Sequence, residues 1–259
     1  MFLSNGNLIN GDCLEVMRDI PDGSVDMILT DPPYGTTACK WDVVIPFEPM
    51  WDQIKRVIKP NGAIVLTATQ PFTSVLVSSN LKMFKYEWVW CKNKVTDFLR
   101  AKLKPMTGHE NVLVFSKGSV ANGAKNNMDY FPQGLIEINK TQKNAKIGEA
   151  IAGRNKSNYG PNNVLHNETY VQKFKGYPNT KLDFNSETDA IHPTQKPVAL
   201  FEYLIKTYTQ PGEVVLDFTI GSGTTAIAAE NLNRQWIGIE KDLIYYLKAV
   251  ERIYKHVNK

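Results

Sequence analysis

Short apolar runs alternate with amphipathic stretches at both ends of this chain, and that alternation leaves little choice of architecture. Val25–Thr30, Ala63–Ala68, Phe84–Trp90 and Asn111–Phe115 predict strands; Phe47–Ile58 and Phe72–Leu81 predict helices, the first stopped by Pro60-Asn61-Gly62. From Lys196 the pattern resumes as a helix through Tyr208, a turn at Gln210-Pro211-Gly212, and a strand Val214–Asp217. A glycine-rich loop Ile220–Thr224, a helix through Leu232, a strand Gln235–Ile239 and a helix Leu243–Lys255 complete it. Strands joined through helices pair in parallel and need helices on both faces. The expected fold is therefore α/β: a single doubly wound, mostly parallel sheet of about seven strands.

Between Gly118 and Asn185 the chain is rich in Asn, Gly, Lys and Tyr and keeps no period, as an irregular insertion would. Charge follows the same division. The whole chain carries 30 Lys and Arg against 26 Asp and Glu, but Cys91–Lys181 alone holds 15 against 6. A basic middle on a mildly acidic remainder suits either a polyanion or a solvated lysine-rich surface. Cys13, Cys39 and Cys91 have neither disulfide-framework nor zinc spacing. No run of about 18 apolar residues and no basic-then-apolar leader occurs, so neither secretion nor a membrane span is expected, and no metal.

The segment Val214–Ala226 reads as strand, tight turn and helix start, where glycines admit a ligand close to the backbone. Gly221-Ser222-Gly223-Thr224-Thr225-Ala226 also satisfies a dinucleotide pattern, with Glu240 placed 17 residues beyond Gly223 to hold a ribose. Asp217 at the strand end argues for another ligand. A carboxylate there repels a pyrophosphate but attracts the ammonium of an amino-acid moiety. A turn that merely needs small residues is the simpler alternative.

Asp31-Pro32-Pro33-Tyr34 follows a buried strand, at the edge of the sheet where open α/β folds bind ligands. Its prolines stiffen the loop and lack N–H donors, leaving an acceptor-rich surface suited to an amino group. The Asp31 carboxylate and the Pro32 carbonyl would accept both N–H bonds of an exocyclic base nitrogen, localising its lone pair, while the Tyr34 ring stacks on an extruded base.

The tetrad Asp31–Tyr34 near the start and Asp217-Phe218-Thr219-Ile220-Gly221-Ser222-Gly223-Thr224-Thr225 near the end, in that order, resemble the β class of DNA amino-methyltransferases. The resemblance spans nearly the whole chain outside the insertion and implies a circularly permuted methyltransferase fold. Residues 1–117 would then be the catalytic half, 118–190 a target-recognition insertion and 191–259 the cofactor half. It implies S-adenosylmethionine as cofactor and double-stranded DNA as partner. Asp12 and Cys13 look like the segment facing the cofactor's adenine amino group. Ile191–Pro197, with His192, Thr194 and Lys196, looks like the segment facing its methionine carboxylate. Asp31, Asp217, Phe218, Thr219, Gly221, Ser222, Gly223, Thr224, Thr225 and Glu240 complete the implied cofactor site. Where the family usually has Phe two places after the motif aspartate, this chain has Phe218 and Thr219, so Phe218 is the candidate apolar contact.

An Asp opening the tetrad points to adenine N6, since Ser accompanies cytosine N4 more often in that family; cytosine N4 is the nearest alternative. No Pro-Cys dipeptide is present for carbon-5 cytosine chemistry. By the same resemblance Thr36–Trp41 is a mobile loop that closes over substrate, with Lys40 near phosphate and Trp41 near a base, and Lys92, Lys94, Arg100, Lys102 and Lys104 interleave with Phe98 as expected phosphate contacts. The pair His109-Glu110 reads as structural. The resemblance further implies a cytoplasmic bacterial or phage enzyme acting by base flipping. It leaves open a homodimer and a cognate restriction endonuclease. An NAD-dependent oxidoreductase, a non-catalytic DNA-binding protein on the same scaffold, and an RNA substrate are the rival readings.

Overall fold

The computed structural model describes residues 2–3, 5–37, 39, 42–143, 169–187 and 195–258. The strands are Phe2–Leu3 (β1), Gly6–Asn10 (β2), Val25–Thr30 (β3), Ile58–Ala68 (β4), Phe84–Thr96 (β5), Thr107–Ser116 (β6), Ile136–Lys143 (β7), Thr169–Lys175 (β8), Lys181–Asp183 (β9), Val214–Asp217 (β10) and Gln235–Glu240 (β11). The α-helices are Cys13–Val16 (α1), Phe47–Val57 (α2), Phe72–Ser79 (α3), Val198–Tyr208 (α4), Thr224–Asn231 (α5) and Leu243–Val257 (α6).

Among the described residues, nine strands form one sheet in the order β1-β2-β11-β10-β3-β4-β6-β5-β9. From β2 through β11, β10 and β3 to β4 every pairing is parallel. β6 is antiparallel to both β4 and β5, so β5 runs in the same sense as β4.

Period-two alternation inside buried strands sorts side chains to the two faces. Met27 and Leu29 of β3 pack with α4, α5 and α6 through Leu200, Leu204, Ala228 and Ile253. Ile28, between them, packs on the opposite face with Met50, Trp51 and Ile54 of α2 and with Leu76 of α3. Apolar residues at 47, 50, 51, 54 and 57 give α2 its buried stripe. The sheet is thus covered on both sides and doubly wound, as the alternation implied.

Three details differ from the sequence reading. β1 and β2 add an edge to the sheet; β2 pairs with β11, and Trp236 lies so close over Gly6 that a Cβ there would sit 2.2 Å from its ring. Pro60-Asn61-Gly62 lies inside β4 as an irregularity, the pairing jumping from Val25↔Ile58 to Met27↔Ala63. β5 and β6 extend well beyond their buried cores, to Thr96 and back from Thr107.

The chain divides into two compact units, Met1–Phe131 with Thr180–Lys259, and Pro132–Asn179. The second falls within the stretch read as an insertion and is centred on the antiparallel β7–β8 pair. No helix among the described residues is long and apolar enough to cross a membrane.

Candidate active site

Strand order explains how two motifs almost 190 positions apart meet. β3 and β10 are adjacent and parallel, with Met27 beside Val215 and Ile28 beside Leu216. They therefore deliver Asp31 and the Gly-rich turn to the same edge. Connections from β3 lead toward β4 and those from β10 toward β11, so this is a topological switch point, where open α/β sheets have their crevice. Beyond it, β11 ends at Glu240 and β2 leads to Asp12. A cleft of about 650 Å³ runs along these strand ends, lined by Asp12, Cys13, Asp31, Pro32, Pro33, Tyr34, Lys196, Asp217–Ser222, Thr224, Thr225 and Glu240.

The two halves are stitched together by hydroxyls. The buried Thr30 hydroxyl donates to Asp217 Oδ1 at 2.6 Å and lies 2.6 Å from the Thr219 hydroxyl, which donates to the Asp31 carbonyl at 3.1 Å. The Thr219 N–H and the Thr225 hydroxyl complete the donors on Asp217. Burial nevertheless pushes Asp217 up to about 7, against the hydrogen bonds from Thr225, Thr30 and Thr219. Glu240 is also raised by burial, although the Gly221 and Asp242 N–H groups donate to it at 2.9 and 2.8 Å.

Asp31 is held from three sides. Its Oδ1 accepts the Tyr34 hydroxyl at 2.6 Å and the Thr67 hydroxyl; its Oδ2 accepts Lys196 Nζ at 2.6 Å. A carboxylate offers about four lone-pair sites, so Oδ2 retains one acceptor position. Burial opposes the Lys196 ammonium, but the charges of Asp31 and Glu110 outweigh it and raise Lys196 above its ordinary value. Glu110, 3.3 Å from Lys196, also pairs with Lys92. Four alternating charges thus lead from β5 to the tetrad. Burial, and then the charges of Asp31 and Glu110, push the Tyr34 phenol well up, so it stays protonated and donates. One face of its ring stacks on Phe72 at 5.1 Å.

The described part of the loop after the tetrad gathers three N–H groups on one carboxylate. Asp42 accepts the N–H groups of Gly35, Thr36 and Thr37 at 2.7–2.9 Å. Burial opposes its charge, yet these bonds hold its carboxyl below the usual range. On the cofactor side, Arg252 ties the Ser222 carbonyl to the Thr224 hydroxyl, stiffening the Gly-rich turn. Gly221 and Gly223 both have positive φ, 53° and 81°. Gly223, however, is not on the cleft wall: its missing side chain makes room for Ile253, 3.0 Å from where a Cβ would stand.

Other expected residues fall as follows. Asp12 caps α1 through the Leu14 N–H and pairs with Lys241 at 3.0 Å, while still lining the cleft. Burial pushes the Cys13 thiol up to about 11. Phe218 is buried against Leu216 and Ile239. Lys92 turns inward onto Glu110, and Arg100 and Lys104 grip Asp97, whereas Lys94 and Lys102 are exposed. His192, Thr194, Lys40 and Trp41 lie outside the described residues. Thr30, Thr67, Asp42 and Glu110 were not singled out as site residues from sequence.

The charge of the cleft decides what it can hold. Its described lining carries six carboxylates, Asp12, Asp31, Asp42, Asp217, Glu240 and Asp242, against two lysines, Lys196 and Lys241. Both lysines already sit on carboxylates. Such a site repels a dinucleotide pyrophosphate and favours a ligand bearing an ammonium and a sulfonium, as S-adenosylmethionine does.

Comparison with known proteins agrees. The family model described as DNA methylase, covering N6 and N4 methyltransferases, matches residues 25–251. The Type II methyltransferase M.HpaI of Haemophilus parainfluenzae is 28% identical over 264 residues, covering 97% of this chain and 75% of that protein. Two solved structures share the fold. The complex of M1.HpyAVI with SAM has a TM-score of 0.60 and 24% identity, covering 95% of this chain and 99% of that one. The cytosine-N4-specific PvuII DNA methyltransferase has a TM-score of 0.63 and 17% identity, covering 98% and 92%.

Proposed function

This chain belongs to the DNA methylase family, whose cofactor is S-adenosylmethionine, and from that premise we propose that it methylates the exocyclic N6 of adenine in double-stranded DNA. The observation that carries the reading is the cleft at the β3–β10 switch point, which gathers Asp31 and the cofactor acids Asp12, Asp217 and Glu240. When bound, the cofactor supplies a methyl group on a sulfonium.

The chain's own residues do the rest. Asp217 takes the ammonium of the methionine moiety, and Glu240 accepts the ribose hydroxyls on the lone pairs its two N–H donors leave over. The target nitrogen is paired inside a duplex, so the base must leave the stack to reach the cleft. There the free acceptor position of Asp31 Oδ2 and the Pro32 carbonyl take its two N–H bonds. As the nitrogen bonds to the methyl carbon the carbon–sulfur bond breaks, its electron pair staying on sulfur; these preoriented acceptors stabilise the positive charge that develops on the nitrogen without reorganising, and one of its N–H protons is then given up through Asp31 Oδ2 to solvent. Tyr34, Thr67 and Lys196 fix the carboxylate beforehand. Cytosine N4 presents the same two N–H donors, and the same acceptors would serve it.

The test is Asp31→Ala beside the isosteric Asp31→Asn, assayed by transfer of labelled methyl from S-adenosylmethionine to DNA. Losing a transition-state acceptor predicts a fall in kcat of about a hundred- to a thousandfold, with cofactor binding by calorimetry largely kept. Variants that transfer methyl near the wild-type rate would remove Asp31 from the chemistry.

A further inference from the structure

The β5–β6 hairpin ends in a feature that folding alone does not require. Ala68, the last residue of β4, sits level with Asn111 of β6, which in turn sits opposite Val89 of β5. β5 then continues from Trp90 to Thr96 in the same sense as β4, past the strand ends that carry the site. β6 returns through only Thr107–Glu110, and an irregularity between Cys91 and Thr96 takes up the extra residues of β5, so at about 3.3 Å per residue the paired ladder reaches roughly 13 Å beyond them. The root of the projection adjoins the reacting centre, because Lys92 pairs with Glu110, which lies 3.3 Å from Lys196 and through it reaches Asp31.

At the tip, Phe98, Leu99 and Leu103 are 78%, 96% and 84% exposed. The turn that bears them is built. Asp97, in the left-handed region at φ 75°, grips Arg100 Nε at 2.6 Å and also Lys104. Backbone bonds from Arg100 N to Asp97 O, Ala101 N to Phe98 O and Leu103 N to Arg100 O close it. Lys94, on β5 before the turn, and Lys102, within it, are both exposed. Three large apolar side chains exposed to water at the end of this hairpin, in a segment that also bears exposed lysines, suit a partner that is anionic outside and apolar within.

We propose that this tip is a wedge for duplex DNA: Phe98 and Leu99 enter the base stack beside the position the target base vacates, while Lys94 and Lys102 meet the flanking phosphates. It rests on the reading that the protein acts on a base extruded from DNA. Extrusion leaves unstacked neighbours, and apolar side chains inserted between base steps offset part of that loss.

The experiment uses the full chain with Phe98→Ser/Leu99→Ser, and separately Lys94→Gln/Lys102→Gln. The substrates are two oligonucleotide duplexes carrying the methylated site identified by sequencing, one fully paired and one with the target base mismatched. For the apolar variant, kcat/KM on the paired duplex should fall tenfold or more, and on the mismatched duplex, whose base is already free, by less than about twofold. The lysine variant should weaken both substrates alike and flatten the salt dependence of DNA binding. Equal losses of the apolar variant on both duplexes, or none on either, overturn the wedge. So does a change from dimer to monomer in sedimentation, which would make the tip a contact between copies of this chain. If sequencing of DNA exposed to the wild-type protein finds no methylated site, the reading on which the wedge rests is overturned instead.

Discussion

Cofactor affinity should fall steeply below neutral pH, and Asp217 is the reason. Burial raises this carboxyl to about 7 in the free protein, whereas an aspartate in an unfolded chain titrates near about 4. Between those values the folded protein holds a proton that the unfolded chain has lost. Free-protein stability therefore declines as pH rises through this window, by at most about 4 kcal/mol at roughly 1.4 kcal/mol per pH unit. Binding carries the opposite sign, since only the ionised carboxylate attracts the methionine ammonium. Affinity is full above pH 7 and is lost as pH falls through it. If the protonated form does not bind, the drop from pH 7.5 to 5.5 is roughly 25-fold, the ratio of ionised fractions for a group titrating near 7. Calorimetric titration with S-adenosylhomocysteine, which keeps the amino-acid moiety, measures this directly. Asp217→Asn should bind weakly with a flattened profile, any remaining slope belonging to Glu240, and should melt above wild type at pH 8 but not at pH 5. A flat wild-type profile, or an Asn variant with the wild-type slope, would refute the pairing of Asp217 with the ammonium.

Three further substitutions test the frame around the site. Asp42→Ala leaves three N–H groups without their acceptor and should cost about 1–3 kcal/mol in thermal unfolding. Because the Asp42 carboxyl is held low, that difference should persist at neutral pH and fade only as pH drops through its folded value; an unchanged Tm would contradict the hold of Asp42 on these groups. Glu110→Gln breaks the buried pairs with Lys92 and Lys196, which predicts a loss of about 3–5 kcal/mol and a fall in kcat larger than any change in cofactor Kd. A variant with wild-type Tm and kcat would make Glu110 dispensable. Tyr34→Phe keeps the stack on Phe72 but removes the donor to Asp31; kcat should drop about tenfold, the effect of losing roughly 1.4 kcal/mol of orientation, and a rate within twofold of wild type would count against that bond.

The parts of this molecule that sequence reveals are those whose burial imposes a period. β3, β10 and β11 are apolar because both faces are covered, and α2 shows its stripe because one face is. β2 is short and half-exposed, so its five residues carry no such signal. The outer half of the β5–β6 hairpin is exposed on both faces and lost its alternation for the same reason. In the site, the tetrad and the Gly-rich loop were legible because prolines and glycines mark backbone requirements. Thr30, Thr67 and Asp42 were not, since each is an ordinary polar residue whose partner is fixed only by the fold; Thr30 meets Asp217 across 187 positions. Glu110 did carry a signal, an acid close before the buried apolar run Val112–Phe115. It read as structural because nothing in sequence places Lys196 beside it.

The most direct measurement is the identity of the methylated nucleoside. Unmethylated DNA incubated with the protein and methyl-labelled S-adenosylmethionine, digested and separated by chromatography with mass detection, should carry its label in N6-methyldeoxyadenosine. Label in N4-methyldeoxycytidine would contradict the assignment to adenine, and label on a base carbon would contradict an amino-nitrogen site built around Asp31.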